Sequence, residues 1–454
     1  MTDRLDRTRP PLPGPGRATR FPAFARLPLA NGVQILAIEL RRAPLVSLEL
    51  ACRAGAELDP PARRGLATFT SGLLDEGTAR RSSSEIAAGV EGLGGSLGTG
   101  ADWNAAYLRI GLLSTHRRAG LELLAELVTQ PIFPEAEVER LRRQRLAELL
   151  RRRDEPGILA DERLARALYG DGPYGSSLIG DEAAVASYSR ADCESFYRTH
   201  FAPEASFLLA AGDLGVEELA ERAGEHLDAW PRPAAAAAPP APARPLPRAG
   251  LTIDIVDRPA AAQTELRIGH AGVPKRHPDR AALTVANAML GGKFTSRINL
   301  NLRERHGYTY GAFSRFAERR GPGPFVIGAA VGNDVAGAAA REILAELERM
   351  RQEPPPEPEL AETRSYLLGV FPYGLQTADD LVRKLAEIAV HGLPDDYYRR
   401  HLAAIEATAA ADVERVARAH LDPANAAIVA AGPADALRPQ LEELGPVTVS
   451  PAPR

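Results

Sequence analysis

Histidine and cysteine are the side chains in this 454-residue sequence best suited to binding a metal ion. No two histidines have the HxH, HxxxH or HxxEH spacing that places two imidazoles on one face of a strand or helix. Cys52 and Cys193 have no CxxC spacing, and two buried free thiols are favoured over one disulfide. The histidines are His116, His200, His226, His270, His277, His306, His391, His401 and His420. The spacing of these residues therefore predicts no metal site.

The elements that must position any functional residue follow an α+β pattern in the first half of the chain. Apolar and polar residues alternate over 32–40 and 45–55, as in half-buried strands. Helical spacing over 64–77 ends at Gly77. After these elements we expect a helix over 83–95, a strand over 105–113, helices over 115–130 and 135–153, and a strand over 206–212.

The second half of the chain looks like a copy of the first. ADCESFYRTHFAPEASFLLAAG, from residue 191, aligns without a gap with ADVERVARAHLDPANAAIVAAG, from residue 411, at an offset of 220. His200 then matches His420, which predicts a shared structural role near the end of a helix. A period this long indicates duplicated domains and not a solenoid.

Composition and proline content divide the chain into four parts. Residues 1–24 are rich in proline and arginine and are expected to form a flexible arm. The Pro/Ala-rich stretch 231–249 disfavours helix and sheet, so it predicts an extended linker. The linker separates an N-terminal α+β domain over 25–230 from a C-terminal one over 250–447.

Charge and hydropathy exclude several classes of function. A net charge of −4 gives no reason to expect nucleic acid or an anionic membrane as partner. The first residues are basic but lack the apolar core of a secretory signal. No run approaches the roughly 18 apolar residues that span a bilayer. We therefore expect a cytoplasmic protein with no membrane partner.

One segment resembles the zinc-binding helix of the pitrilysin/insulinase family of peptidases. The stretch GLATFTSGLLDEGT, residues 65–78, matches the flanks of that family's Gly-Leu-Ala-His-x-x-Glu-His-x-x-x-x-Gly-Thr segment. In active members the two histidines bind zinc and the glutamate is the general base. Here Thr68, Ser71 and Gly72 occupy those three positions, and none can replace an imidazole or a carboxylate. The resemblance implies the fold without the zinc, so no cofactor is expected in this chain.

The family's third zinc ligand is a glutamate on a later helix, and Glu148 occupies that position. One carboxylate does not make a zinc site. The favoured interpretation is a helix-surface residue paired with Arg145 or Arg152, three residues before it or four after it.

A second segment, LGGKFTSRINLNLRERHGYTYG at residues 290–311, resembles the family's C-domain signature. The resemblance assigns Arg303 and Tyr310, seven residues apart, to holding the substrate backbone and stabilising the oxyanion. Tyr308 is the competing tyrosine, but the spacing favours Tyr310. The alternative is that Arg303 is a surface cation and Tyr310 a packed strand residue.

The resemblance covers roughly residues 25–445 and implies a fold and a function. The fold is α+β, with two homologous halves, each a mostly antiparallel sheet with helices on one face, as in processing peptidases and LuxS-like metallohydrolases. Residues 95–111 occupy the place of the family's substrate-pairing edge strand.

The function implied is that of a non-catalytic, substrate-binding subunit of a heterodimeric zinc endopeptidase, in the branch that contains the mitochondrial processing peptidase. A zinc-bearing homologue would be the partner, and a peptide the substrate. Two alternatives remain open, a structural assembly subunit and a leader-peptide-recognition protein, and a homodimer is not excluded by the sequence.

Overall fold

The computed structural model describes residues 19–232 and 243–451. Most of the expected N-terminal arm (1–18) and of the expected linker (233–242) therefore lies outside the described residues. Within those ranges, every helix is too short or too polar to cross a lipid bilayer.

Six strands form the first sheet, and the short loops between apolar segments allow most of them to pair antiparallel. These strands are β1 (Ala25–Pro28), β2 (Gln34–Glu39), β3 (Leu45–Cys52), β4 (Ser96–Ala101), β5 (Ala106–Leu113) and β6 (Ser206–Gly212). Their order across the sheet is β1-β2-β6-β3-β5-β4, so β4 lies at one edge. Only β2 and β6 pair in parallel, because the long helical region between β5 and β6 brings the chain back in the direction of β2.

Three of the four helices predicted in the first half, at 83–95, 115–130 and 135–153, are present, and the fourth is shortened at the segment that resembles a zinc-binding helix. The helices of this half are α1 (Leu66–Ser71), α2 (Ser83–Gly92), α3 (Arg117–Thr129), α4 (Glu135–Arg152), α5 (Pro156–Tyr169), α6 (Glu182–Ser187), α7 (Arg190–His200) and α8 (Val216–Leu227). The predicted helix over 64–77 is wrong beyond Ser71. The consecutive residues Leu73 and Leu74 are both fully buried, and their N–H groups bond to carbonyls three residues back, so tighter turns replace the α-helix.

The second sheet repeats the first. Its strands are β7 (Thr252–Asp257), β8 (Thr264–Ala271), β9 (Ala312–Phe316), β10 (Pro324–Val331), β11 (Ala427–Gly432) and β12 (Val447–Pro451). The order is β12-β7-β11-β8-β10-β9, in which β7, β11, β8, β10 and β9 correspond to β2, β6, β3, β5 and β4. The first edges differ, since β1 is antiparallel to β2 whereas β12 is parallel to β7.

The helices of the second half include two π-helical segments on either side of the short helix α10. The helices are α9 (Arg280–Asn287), α10 (Arg297–Asn299), α11 (Ala336–Gln352), α12 (Glu357–Val370), α13 (Ala378–His391), α14 (Tyr397–Ala407), α15 (Ala410–His420) and α16 (Ala434–Leu441). The π-helical segments are Ala288–Gly292 and Leu300–Arg305. The second lies within the stretch predicted to carry the arginine and tyrosine and the first overlaps its start, and π-helical turns are frequent at functional sites.

Each half also lends one helix to the sheet of the other. Helix α5 packs on the second sheet, where Leu164 shares a buried cluster with Val429. Helix α13 packs on the first sheet, where Leu385 shares a buried cluster with Leu209. Arg53, at the end of β3, donates to the carbonyls of residues 389 and 390 at 2.8 and 3.1 Å and so caps α13. The predicted α+β fold with two homologous halves is confirmed, and the exchange covers the second face of each sheet.

Candidate functional site

The helix α1 carries Thr68, at the first histidine position of the family's motif, and Ser71, at the general-base position, and both side chains are bonded to the protein's own backbone. The Thr68 Oγ1 atom lies 2.7 Å from the carbonyl oxygen of Leu178 and 3.0 Å from that of Gly65. The Ser71 hydroxyl donates to the Ala67 carbonyl at 2.7 Å. Both side chains are buried. Neither is therefore free to act as a ligand.

The third position, Gly72, faces α4 closely. A Cβ atom at Gly72 would lie 3.6 Å from Leu141 Cδ2, which is an ordinary packing distance, but glycine itself offers no side-chain ligand. Glu148, also on α4, lies 3.8 Å from the Nε atom of Arg145 and is about one third exposed. Arg152, the other predicted partner of Glu148, instead forms its ion pair with Glu162. The described residues at this site do not fit a zinc ion, and no chemistry of this chain is assigned to one.

A buried carboxylate fixes the start of α1. Asp59 accepts the N–H groups of Gly65 and Ala67, each at 2.7 Å. Burial raises the pKa of the Asp59 carboxyl to about 7. The cap satisfies two donors that the helix leaves open, so it holds the degenerate helix in place.

Arg303 and Tyr310 are on the surface of the second half. The guanidinium carbon of Arg303 lies 4.5 Å from the centroid of the Phe294 ring, and its Nε is 3.6 Å from Glu304 Oε1. Tyr310 is 92% exposed, which argues against a packed strand residue. The competing Tyr308 is partly buried and stacks on His306 with a centroid distance of 4.9 Å. Among the two tyrosines, Tyr310 is the one able to meet a ligand.

Two other residues of the same signature have structural roles. Arg297 makes a bidentate pair with Glu359 on α12 at 2.8 and 2.7 Å. Asn299 is buried, and its amide both donates to the Ala312 carbonyl at 2.7 Å and accepts from the Ala312 N–H at 2.9 Å. These contacts hold the segment that carries Arg303 against α12 and β9.

The edge strands β4 and β9 differ in what covers their outer sides. In the part of the chain that the structure describes, β4 has one backbone partner, β5. The outward backbone groups of β9 are instead bonded by Asn299 at Ala312 and by Asn287, whose amide donates to the Ser314 carbonyl at 3.1 Å. The strand β4 is thus open to pairing with an extended chain, and β9 is closed.

One group of potential metal ligands was missed by the sequence reasoning, although the His-x-Asp spacing at 277–279 is a signal for it. His277, Asp279 and His420 come together where α9 begins and α15 ends, with their ligand atoms within 4.8 Å of one another. The atoms are already bonded: His277 Nδ1 accepts the Asp279 N–H at 3.2 Å, and His420 Nε2 donates to Asp279 Oδ2 at 2.9 Å. Arg415 donates to Asp279 Oδ1 at 2.9 Å and, with His420, lowers the pKa of that carboxyl to about 2.

These bonds make the group a structural link between the two helices. A similar role at its helix end was predicted for His200, the repeat partner of His420. Its ring lies 4.7 Å from that of Phe196, and burial lowers its pKa. The two equivalent histidines both pack at helix ends, but only His420 has a carboxylate partner in the described structure.

Comparison with known proteins finds similarity to M16 peptidases, the family whose zinc-binding segment α1 resembles. A family model described as Insulinase (Peptidase family M16) matches residues 34–182, and one described as Peptidase M16 inactive domain matches residues 187–367. An uncharacterized zinc protease of Streptomyces coelicolor is 25% identical over 294 residues, which are 64% of this chain and 63% of that protein. An uncharacterized zinc protease of Mycobacterium tuberculosis is 29% identical over 309 residues, covering 66% and 69%. The chain therefore spans slightly less than two thirds of the Streptomyces protein.

Solved structures of an M16 inactive domain and of a protease are similar to this chain over about nine tenths of its length. The crystal structure of a peptidase M16 inactive domain from Pseudomonas fluorescens has a TM-score of 0.84 and 28% identity, covering 90% of this chain and 98% of that one. A protease from Helicobacter pylori shares the fold with a TM-score of 0.85 at 19% identity, covering 91% and 100%. With two duplicated sheets, and with threonine, serine and glycine where active members have histidine, the general-base glutamate and histidine, this chain belongs to the insulinase family of M16 peptidases as a non-catalytic member.

Proposed function

We propose that this chain is the non-catalytic, substrate-binding subunit of a two-subunit zinc endopeptidase whose partner is a zinc-bearing homologue. The observation that carries the proposal is the contrast between two sites. In the segment that resembles the zinc-binding helix, the Thr68 and Ser71 side chains are bonded within the protein. The Arg303 and Tyr310 side chains remain accessible on a segment fixed by buried contacts.

The chemistry of this pair suits the recognition of a peptide carbonyl. A guanidinium and a phenol are both hydrogen-bond donors, and both stabilise a carbonyl oxygen more strongly as it gains negative charge. Arg303 has a distant ion pair with Glu304, so its N–H groups have capacity for a ligand. The partner would supply the zinc and the general base, and this chain would hold and orient the bond to be cleaved.

The open edge of β4 offers a second contact for the same substrate. An extended peptide can add to a sheet edge by backbone hydrogen bonds, which are independent of its sequence. The residues Ser96–Ala101 include two glycines, Gly98 and Gly100, so few side chains obstruct an added strand. Backbone pairing at β4 would give affinity, and the arginine and tyrosine would act at the scissile bond.

The first experiment is purification of the native protein with whatever accompanies it, followed by mass spectrometry. We expect a homologue of similar length with an intact HxxEH motif. A complex with non-peptidase proteins would favour the assembly role, and a precursor peptide with its modifying enzyme would favour leader recognition.

The second experiment uses the reconstituted pair. Arg303→Ala and Tyr310→Phe are each expected to lower kcat about 100-fold, the effect of losing one oxyanion donor. Arg305→Ala and Tyr308→Phe are matched controls on the same segment and should retain activity. The proposal is wrong if neither Arg303→Ala nor Tyr310→Phe changes kcat, or if the isolated chain hydrolyses peptides with zinc.

A further inference from the structure

Three potential metal ligands meet in the second half, where α9 begins and α15 ends. His277 and Asp279 come just before the first residue of α9, and His420 is the last residue of α15. Their side chains are between 18% and 24% exposed, so an ion can reach them from solvent. Two imidazoles and one carboxylate are a donor set that binds zinc in proteins, with water at the fourth position.

The separations between the donor atoms are close to those in a zinc site. His420 Nε2 lies 2.9 Å from Asp279 Oδ2, and His277 Nδ1 lies 4.0 Å from the same oxygen. Ligand atoms arranged tetrahedrally around zinc at the usual bond lengths lie about 3.4 Å from one another. One separation is therefore slightly short and the other slightly long, and small rotations of the side chains bring both to the required value.

The hydrogen bond between His420 and Asp279 does not oppose an ion, because both of its ends are ligands. Zinc takes the place of the proton between His420 Nε2 and Asp279 Oδ2, and that proton passes to solvent. Neither atom is then left without a partner. His277 Nδ1 gives up the Asp279 N–H at 3.2 Å, a partly buried group that water can bond instead. The hydroxyls of α1 differ, since they donate to backbone carbonyls and not to a second ligand.

Arg415 supports the carboxylate from the other side. Its guanidinium donates to Asp279 Oδ1 at 2.9 Å, which leaves Oδ2 facing the two imidazoles. A carboxylate that binds a metal is itself hydrogen-bonded in this way, and the outer contact fixes its orientation. The Arg415 side chain is 54% exposed, so solvent screens its repulsion of a cation. Arg415 is therefore a positioning residue for Asp279.

The equivalent place in the first half lacks this arrangement. At the repeat offset of 220 the corresponding residues are Glu57, Asp59 and His200. Asp59 is bonded to two backbone N–H groups at the start of α1, and the ring of His200 packs on that of Phe196. Among the residues that the structure describes, the group in the second half is the one set of three potential ligands within 4.8 Å of one another. The first half is therefore a natural control for the second.

We propose that His277, Asp279 and His420 form a structural zinc site that ties the start of α9 to the end of α15. The inference is independent of the proposed function, because it concerns neither the α1 segment nor the Arg303 segment. It departs from the sequence-based expectation of no metal in this chain. That expectation considered spacing along the chain, whereas His420 is 141 residues from Asp279 and reaches it only through the fold.

The test is a titration of the isolated full-length chain with zinc, after treatment with a chelator, in competition with a chromophoric chelator of known affinity. We expect one zinc ion per chain. His277→Ala should lower the zinc affinity at least about 100-fold because it removes a ligand, and Arg415→Ala about tenfold because it removes an outer contact. Arg415→Lys should restore most of that loss. His200→Ala is the matched control and should bind zinc like the wild type.

Thermal unfolding provides a second readout. Zinc should raise the Tm of the wild-type chain and magnesium should not, because magnesium prefers oxygen ligands. His420→Gln can still donate to Asp279 and so keeps the link between the helices, but zinc should no longer raise its Tm. The inference is overturned if the wild-type chain binds no zinc in competition. It is also overturned if His277→Ala and His420→Gln bind zinc as tightly as the wild type, which would indicate an adventitious ion only.

Discussion

The outer edges of the two sheets, β4 in the first half and β9 in the second, are equivalent in topology and opposite in chemistry. The strand β4 has a backbone partner on one side within the described structure. The outward groups of β9 are bonded by Asn287 and Asn299. Both asparagines belong to the region that leads to the Arg303 segment. Closing one edge thus also fixes the residues that present the arginine.

The two halves also differ in whether the α1 segment and the Arg303 segment have accessible side chains. The first half has an open strand edge and, in α1, a threonine and a serine whose hydroxyl groups are bonded to backbone carbonyls. The second half has a closed strand edge and an accessible arginine and tyrosine. The two halves are therefore similar scaffolds, and single side chains decide which surface of each is accessible. This comparison makes four predictions, in order of decreasing effect.

Asn299→Ala should have the largest effect on stability. The substitution leaves the buried N–H and C=O of Ala312 without partners, and unpaired buried groups cost about 1–3 kcal/mol each. We expect a loss of about 3 kcal/mol in the free energy of unfolding, measured by urea denaturation. Ser96→Ala on the exposed edge of β4 is the control and should cost less than about 0.5 kcal/mol. Equal losses in the two variants would contradict the contrast between the edges.

Asp59 and Asp279 are separated by the repeat offset of 220 and should affect the pH dependence of stability in opposite ways. The pKa of Asp59 is raised to about 7, so between about pH 4 and 7 the native state holds a proton that the unfolded state loses. This carboxyl therefore makes the free energy of unfolding fall as pH rises through that range. The pKa of Asp279 is lowered to about 2, so its contribution is present above about pH 4 and is lost as pH falls toward 2.

The measurement is the free energy of unfolding as a function of pH in two variants. Asp59→Asn should flatten the dependence between pH 4 and 7 and cost about 2 kcal/mol, because an amide oxygen replaces only one of two acceptors. Asp279→Asn should leave that range unchanged. If the free energy of unfolding of the wild type does not change between pH 4 and 7, and Asp59→Asn behaves in the same way, the pKa of Asp59 is not raised by folding.

Hydrogen exchange should distinguish the two edges when a peptide binds. Backbone pairing at β4 would slow exchange of the amides within 96–101 several-fold, because free N–H groups become bonded. Amides within 312–316 should change little, since the outward groups of β9 are already bonded. The measurement is mass spectrometry of the exchanged chain with and without an extended peptide. Protection at β9 without protection at β4 would reverse the proposed geometry.

Glu148→Gln should have the smallest effect. Its carboxylate makes a long, partly exposed ion pair with Arg145, and such pairs contribute about 0–1 kcal/mol. The variant should unfold within about 0.5 kcal/mol of the wild type and retain the activity of the reconstituted pair. A large loss of activity would give Glu148 a role that its surroundings do not suggest.

The parts of the fold that depend on local pattern were predictable from the sequence. The mostly apolar run at 206–212 is the strand β6, and the ungapped repeat at 191 and 411 corresponds to α7 and α15 with the strands that follow them. Cys52 and Cys193 are buried free thiols as predicted. Arg303 and Tyr310 were selected through the resemblance to the family's signature, and their role stays a prediction; the structure adds that Tyr310 is exposed.

The parts that depend on distant packing were not predictable. The apolar stripe of α13 indicates burial, but nothing in its period shows that it packs on the sheet of the other half. The role of Asn299 arises because the turn after it brings Ala312 back to its side chain in space. Phe294 reads as an ordinary apolar residue until its exposure is known. Hydrophobic periodicity reports that a face is buried and not what covers it.

The exchange of α5 and α13 has a consequence for how this molecule can be divided. A cut in the proline-rich stretch near residue 240 would yield two fragments of similar length, and each would carry away the cover of the other's sheet. The uncovered faces are apolar, so the separated fragments should aggregate and co-expression should restore them. The two halves therefore fold as one unit, and a substitution in either half can affect the folding of both.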